Sequence, residues 1–297
     1  MLGINLFSNT MSRQCFTKIL HHLRFDEKQT RSFRLKEDPF THVRKVFDDV
    51  VTNCKKHFVP GFSVCIDEQW MPLKCRCKFI VFMPNKPDKF GMKFWFLVDN
   101  STKYVYNVIP YLGSIEKDER QGEKLADYVV KRLIAPLSKK AYNITCDNFF
   151  TSIDLAESLR VQHRTTMVGT LRANSKNIPL GLLEEKLKLH DSLFYFNPKT
   201  QSLILKYQCK QQKSVMLLST MHSHPQVEES AKHKPTIIHF YNKNKCGVDA
   251  ADAMLRLYST RCATRRWPVA VWHNLLDICA LNAWICFKEA TGLKIPM

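Results

Sequence analysis

Apolar residues recur in two rhythms along the chain, and the change between them divides it. In SRQCFTKILHHLRF, Phe16, Ile19, Leu20 and Leu23 fall at helical spacing behind Ser12, a residue suited to capping a helix. Residues 41–58 repeat the rhythm with Val43, Val46, Phe47, Val50 and Val51. After Pro60-Gly61 the texture becomes strand-like. FSVCIDEQW predicts one strand, and KFWFLV and KYVYNVIPYL predict a hairpin turning at Asp99-Asn100-Ser101. A helix over Gly122 to Pro136 follows, then a short strand AYNITCDN, a helix opened by the capping signature Thr151-Ser152-Ile153-Asp154, and a strand TTMVGTL. The order is β, ββ, α, β, α, β, the signature of a mixed sheet with helices. From Arg172 to Pro235 the pattern loosens into short strands (SLFYF, SLILKYQ, SVMLLST) that suit a β-rich insertion, and TIIHFYN predicts a further strand. Two helices close the chain: Val248 to about Tyr258, and a long one from Trp267-Pro268 to about Glu289.

Composition narrows the class. At 297 residues the chain can bury a full core, and its 11% aromatic content is that of a folded protein. Lys and Arg total 45 against 27 acids, a formal charge of +18, which calls for a polyanionic partner, nucleic acid before a membrane surface. The most apolar stretch, Trp267 to Phe287, is interrupted by His273, Asn274, Asp277 and Asn282, so it reads as a buried helix rather than a membrane span. MLGINLFSNTMSRQCF lacks a basic n-region and a cleavage pattern, and secretion is not expected. Eleven cysteines without a CxxC pair read as reduced thiols, and zinc is not expected.

Against this basic background three acids stand out. Asp67 follows the apolar run Ser63-Val64-Cys65-Ile66, Asp147 follows Ile144-Thr145-Cys146, and Asp249 sits in CGVDAAD, where a helix starting near Gly247 would put Asp249 and Asp252 on one face. Each has a plain alternative: a solvated strand position for Asp67, a turn residue for Asp147, end-capping of a helix dipole for Asp249 and Asp252. As a set they suit phosphodiester chemistry, in which hard divalent cations need several converging carboxylates. GxSxG and GxxxxGK[ST] are both absent, which leaves acids in a basic surround as the candidate chemistry. Lys86, Lys89 and Lys93, in PNKPDKFGMK beside Phe90, Phe94 and Trp95, could hold phosphates, or form an ordinary solvated loop. Lys74, Arg76 and Lys78 alternate along a strand-like run and would line one face.

The segments IDEQWMPLKCRCKF, FMPNKPDKFGMKFW, NSTKYVYNVIPYLG, NITCDNFFTSIDLA, TMVGTLRANSKNIP, KCGVDAADAM and RRWPVAVWHNLLDI resemble, in order, the transposase domain of the piggyBac family, over roughly residues 61–290. The resemblance implies an RNase H-like α/β fold: a mixed sheet with flanking helices, a β-rich insertion domain, and a helical dimerisation and DNA-binding domain made from both chain ends. The implied segments are 1–62 (helical), 63–171 (catalytic), 172–235 (insertion), 236–258 (catalytic) and 259–297 (helical). It further implies a DDD site in which Asp67, Asp147 and Asp249 are catalytic and bind Mg²⁺, with Mn²⁺ as a substitute and Asp252 as an additional acid. Arg172 and Lys176 are implied as target-DNA contacts. Arg265, Arg266 and Trp267 are implied near the DNA and the active site, although Trp267-Pro268 is also an ordinary helix opening. The implied activity is metal-dependent cleavage and transfer of double-stranded DNA at transposon ends, with TTAA targets, by a nuclear homodimer. The alternative is a domesticated or truncated relative that binds DNA without transposing it.

Overall fold

A computed structural model of the chain describes residues 5–113, 120–229 and 231–293. The outermost residues of the expected end segments, 1–4 and 294–297, lie outside these. Four helices lead: α1 (Asn5–Thr10), α2 (Arg13–His22), α3 (Arg31–Glu37) and α4 (Arg44–Lys56). Next come β1 (Ser63–Pro72), β2 (Val81–Phe82), β3 (Phe90–Asp99) and β4 (Val105–Pro110). After these the chain alternates: α5 (Leu125–Ile134), β5 (Asn143–Cys146), α6 (Ile153–His163) and β6 (Thr166–Leu171). The remainder comprises α7 (Leu180–Glu184), β7 (Ser192–Asn197), β8 (Ser202–Lys210), β9 (Lys213–Ser219), α8 (Thr236–Asn244), α9 (Gly247–Leu257) and α10 (Trp267–Thr291).

One mixed sheet organises everything else. β1 lies between β3, antiparallel to it, and β5, parallel to it; β6 continues parallel to β5, and β4 pairs with β3. The order β4-β3-β1-β5-β6 is the RNase H-like arrangement. Val64, Cys65 and Ile66 are all buried, as are all residues from Phe94 to Asp99, so both faces of the central strands are covered. That coverage explains why these strands read as continuous apolar runs rather than alternating ones.

The β-rich insertion continues this sheet. β9 pairs antiparallel with β6, and β8 and β7 extend it hairpin by hairpin, so the expected segment 172–235 supplies three strands to the catalytic sheet. TIIHFYN, expected as a strand, is the helix α8. Ile237 and Ile238 bury against Val168, Leu203, Leu205, Tyr207 and Leu217 on that extension. An apolar run this short fits either element, and the sheet beneath it selects the helix.

The N-terminal helices divide between two fates. α4 buries Phe47, Val51 and Cys54 in the main core and packs beside β4, with the Tyr104 hydroxyl donating to Cys54 O at 2.9 Å. It therefore packs directly on the body around the sheet. In α2 no residue is buried, and Phe16 and Ile19, two of the apolar positions that gave it its helical rhythm, remain 51% and 49% exposed. Ser12 caps α2 as its sequence suggests, accepting from the Cys15 amide at 3.2 Å, and Ser152 caps α6 in the same way through the Leu155 amide.

α10 is long and apolar enough to cross a bilayer by length and composition, yet it serves as the core helix. Its polar interruptions are buried or half-buried and used. Asn282 accepts from Val105 N and donates to Val105 O, both at 2.9 Å, satisfying the backbone of β4. Asn274 exchanges two hydrogen bonds with Gln69 of β1, at 2.9 and 3.0 Å.

The turn after β3 is built on a buried carboxylate. Asp99 accepts from Gly61 N at 2.8 Å, Thr102 N at 2.8 Å, Thr102 Oγ1 at 2.8 Å and Ser101 Oγ at 2.5 Å. Burial alone would raise its pKa, but the hydrogen bonds together hold it below the ordinary carboxylate value. A carboxylate with a depressed folded pKa stabilises fully above the unfolded value of about 3.9 and loses that contribution as pH falls through the folded value. Asp99→Asn is expected to cost about 2–3 kcal/mol at pH 7. Chemical denaturation across pH checks this, with the gap between variant and wild type narrowing below about pH 4.

Candidate active site

Strand register brings the first two acids together. Ile66 pairs with Cys146 across parallel strands, so Asp67 and Asp147, the next residues on each strand, leave the sheet at the same level and on the same face. Asp147 directly follows β5 and starts a tight turn. Its Oδ1 accepts from Phe149 N at 2.9 Å, and its carbonyl accepts from Thr151 N at 3.2 Å and Thr151 Oγ1 at 2.7 Å. Thr151 packs against β6 at Gly169, where a Cβ would overlap Thr151 Oγ1 and approach Cys146 O to 2.9 Å.

The third acid arrives on α9. Cys65 shares the face of Asp67, two residues away, and α9 starts directly on top of it. A Cβ at Gly247 would stand 2.7 Å from Cys65 Cβ and 2.5 Å from Asn100 Oδ1, so the missing side chain allows the helix to lie on the strand. The Cys65 thiol donates to Lys245 O at 3.3 Å and so ties the residues just before the helix to β1. Asp249 then falls in the first turn of α9, where the helix dipole favours a carboxylate.

Electrostatics tie the three together. Burial pushes the Asp67 carboxyl up to about 7, and the charges of Asp147, Glu68 and Asp249 add to this against the Glu68 amide, which donates to Asp67 Oδ1 at 2.8 Å. Among the described residues no group of three or more His, Cys, Asp or Glu side chains is gathered tightly enough to enclose a metal ion. Asp67 and Asp147 each turn one oxygen to a neighbouring backbone amide. As a donor set the three fit a hard divalent cation: oxygen ligands on a rigid frame, with one carboxyl reluctant to ionise until positive charge arrives.

Asp252 is placed differently. It pairs with Arg256 at 2.9 Å, and Arg256 also donates to Trp70 O at 3.1 Å. Burial raises the Asp252 pKa, while Arg256, Gln69 and Lys86 oppose the shift. It therefore joins the Gln69–Asn274 network between β1, α9 and α10.

The expected DNA contacts separate into three groups. Arg172 stands at the acids, its Nε donating to Oδ1 of Asn148 at 3.2 Å, next to Asp147; Lys176 is exposed on the same loop. Lys86 faces Asp252, and Lys89 and Arg265 are exposed. Lys93 is held in an aromatic cage, with its Nζ 4.2, 5.1 and 5.8 Å from the ring centres of Trp95, Tyr111 and Phe149. Arg266 is spent on the protein itself, donating to the C-terminal carbonyls of α2 at Leu20, His21 and Leu23. Trp267 is packed among Phe40, His42 and Phe79. Lys74, Arg76 and Lys78 do alternate outward, but on a loop between β1 and β2 rather than a strand.

Two residues near the acids escaped the sequence reading. Tyr241, on α8, bonds Thr170 through its hydroxyl and lies within electrostatic reach of Asp147 and Cys65; burial pushes its pKa up to about 12. Lys245 is exposed one turn further on, its Nζ 5.7 Å from the Tyr241 ring centre. The available signal was the basic run KNKC directly before GVD, obscured once TIIHFYN was read as a strand.

The sheet order defines an RNase H-like protein, with Asp67 in the middle of β1 and Asp147 just past the end of β5. A family model described as Transposase IS4 matches residues 1–284. The chain belongs to this family, and within it to the piggyBac type. It is similar to the human PiggyBac transposable element-derived protein 3, 24% identical over 267 residues covering 84% of this chain and 44% of the relative. The human chimeric ERCC6-PGBD3 protein matches with the same identity and 84% coverage of this chain, over 25% of its own length. Among solved structures, a chain of the piggyBac transposase synaptic complex with hairpin DNA superposes with a TM-score of 0.91 at 35% identity, over 98% of this chain and 61% of that one. The chain thus spans less than half the length of these curated relatives.

The approach of α9 to β1 gives a direct test. Gly247→Ala is expected to overpack the Cys65 contact and cost about 1–3 kcal/mol, read by thermal or denaturant unfolding, whereas Ala250→Ser, on the half-buried side of the same turn, should change stability by less than about 0.5 kcal/mol.

Proposed function

We propose that this chain carries the catalytic part of a piggyBac-type DNA transposase, cleaving and joining DNA strands at transposon ends with TTAA targets. The observation that carries the proposal is that Asp67 lies within electrostatic reach of both Asp147 and Asp249, brought there from two adjacent strands and one helix, in a chain of formal charge +18. The similarity to a chain solved in complex with hairpin DNA supports double-stranded DNA as the partner.

In this proposal Asp67, Asp147 and Asp249 hold two Mg²⁺, with Mn²⁺ as a substitute. When bound, such ions lower the pKa of an attacking hydroxyl and neutralise charge on the leaving oxygen of an in-line phosphoryl displacement. The protein's own residues position the substrate. Arg172, oriented by Asn148, and Lys245, beside Tyr241, lie where they can take non-bridging phosphate oxygens next to the acids. Lys86, Lys89, Lys176 and Arg265 extend the positive surface along the duplex. The rigid α9–β1 contact keeps Asp249 from retreating as charge builds. Action as a homodimer in the nucleus completes the proposal.

A labelled transposon-end duplex incubated with Mg²⁺ tests it. The wild type is expected to give nicked and hairpin products, and Asp147→Ala to reduce them by about a hundredfold or more. Salt-sensitive binding without product, unchanged by Asp147→Ala, would instead support a transposase-derived DNA-binding protein.

Metal binding has its own readout, independent of DNA. Saturating Mg²⁺, at about a hundred times its Kd, is expected to stabilise the wild type by about 2–3 kcal/mol in thermal melts. Asp67→Asn should abolish the shift, and an equal shift in the variant would place the ion elsewhere.

A further inference from the structure

The loop joining α9 to α10 carries a second cluster of reactive groups. Asp277, buried on α10, anchors the loop by accepting from Ser259 Oγ at 2.7 Å, Thr260 N at 2.7 Å and Thr260 Oγ1 at 2.8 Å. One turn earlier on α10, buried His273 has Nδ1 3.3 Å from Thr260 Oγ1 and Nε2 3.2 Å from Cys262 Sγ. Thr260 has one hydroxyl proton, and its short bond to Asp277 uses it. Nδ1 of His273 therefore carries the ring proton towards Thr260, and Nε2 presents its lone pair to the Cys262 thiol. Burial lowers the His273 pKa, the nearby Asp277 only partly offsetting it, so the imidazole is neutral and able to take a proton.

This is a thiol, a base and an orienting acid in series, the arrangement that makes cysteine a nucleophile. The base is shielded while Cys262 itself is exposed. Cys54, Cys65 and Cys146 are buried, and among the described residues Cys262 is the one thiol bonded to an imidazole. It also sits in the basic stretch Arg261-Cys262-Ala263-Thr264-Arg265.

We propose that Cys262 is a base-activated modification site that takes small disulfides, of which oxidised glutathione is the type, by thiol–disulfide exchange. The Sγ proton passes to His273 Nε2 as sulfur attacks one sulfur of the disulfide. The S–S bond breaks, and the departing thiolate recovers the proton from the imidazolium. One disulfide is consumed and one mixed disulfide formed, so no further oxidant is needed. A glutathionyl group brings two carboxylates and one ammonium, a net negative charge set between Arg261 and Arg265. Its effect on DNA binding rests on the function proposed above; the reactivity of the thiol does not.

Treating the chain with oxidised glutathione at neutral pH and following each cysteine by peptide mass spectrometry tests the site. Cys262 is expected to react about tenfold faster than exposed Cys15 and Cys246 in the same molecules. His273→Gln should bring Cys262 down to their rate without altering theirs. Equal rates for the three thiols in the wild type would overturn the site whether or not the variant folds, as would an unchanged Cys262 rate in folded His273→Gln. Modified protein should then bind an end duplex about three- to tenfold more weakly at low salt, with recovery under dithiothreitol and no response in Cys262→Ser. Selective modification without weaker binding would overturn the link to DNA, and failure of the untreated chain to bind DNA would count against the proposed function alone.

Discussion

The contact on which the site depends is the seating of a helix on a strand without a side chain between them. At Gly247 the backbone of α9 rests on Cys65 of β1, close enough that a single methyl would collide with both Cys65 and Asn100. Asp67 follows Cys65 by two residues on the same face, so whatever sets the height of α9 over β1 also sets the separation of Asp249 from Asp67. Sheet register does the same for Asp67 and Asp147. Neither distance is controlled by a flexible side chain. Both are fixed by backbone packing, which matters where three like charges lie near one another.

Burial, with the neighbouring acids adding to it, pushes the Asp67 carboxyl up to about 7. Elsewhere the same fold buries carboxylates under opposite conditions. Asp99 is surrounded by donors, its pKa is depressed, and it locks a turn. Asp277 is likewise given three donors and fastens the loop after α9. Donor count separates these acids: those that fasten the chain are saturated with hydrogen bonds, while Asp67 has one amide and three acidic neighbours.

Positive charge is divided in a comparable way. Arg266 resembles a phosphate ligand by type and position in the sequence, yet its guanidinium closes the last carbonyls of α2. Lys93 is wrapped by three aromatic rings, one of them Phe149, whose amide holds Asp147. These two cations help maintain the frame, whereas Arg172, bonded to Asn148 beside Asp147, and Lys245, just before α9, are turned to solvent.

Much of the architecture was legible in residue order alone: the β, ββ, α, β, α, β succession, the Ser12 and Ser152 caps and the long closing helix. These follow from local periodicity and hydrogen-bonding chemistry, which act over a few residues. Asp67, which follows the apolar run Ser63 to Ile66, lies in the middle of the ten-residue β1 and not at a strand end. Long-range contacts decided the rest. TIIHFYN became a helix because an apolar sheet face lay ready to cover it, and segment 172–235 joined the main sheet because β6 had a free edge for β9. Asp252 was drawn to Arg256, and Arg266 to carbonyls some 245 positions away in the chain. The sequence by itself determined which residues were able to do chemistry and which elements would carry them. Only the tertiary structure decided which of those residues met, because a charge at a given position cannot show in advance whether it will face phosphate, another side chain or the end of a distant helix.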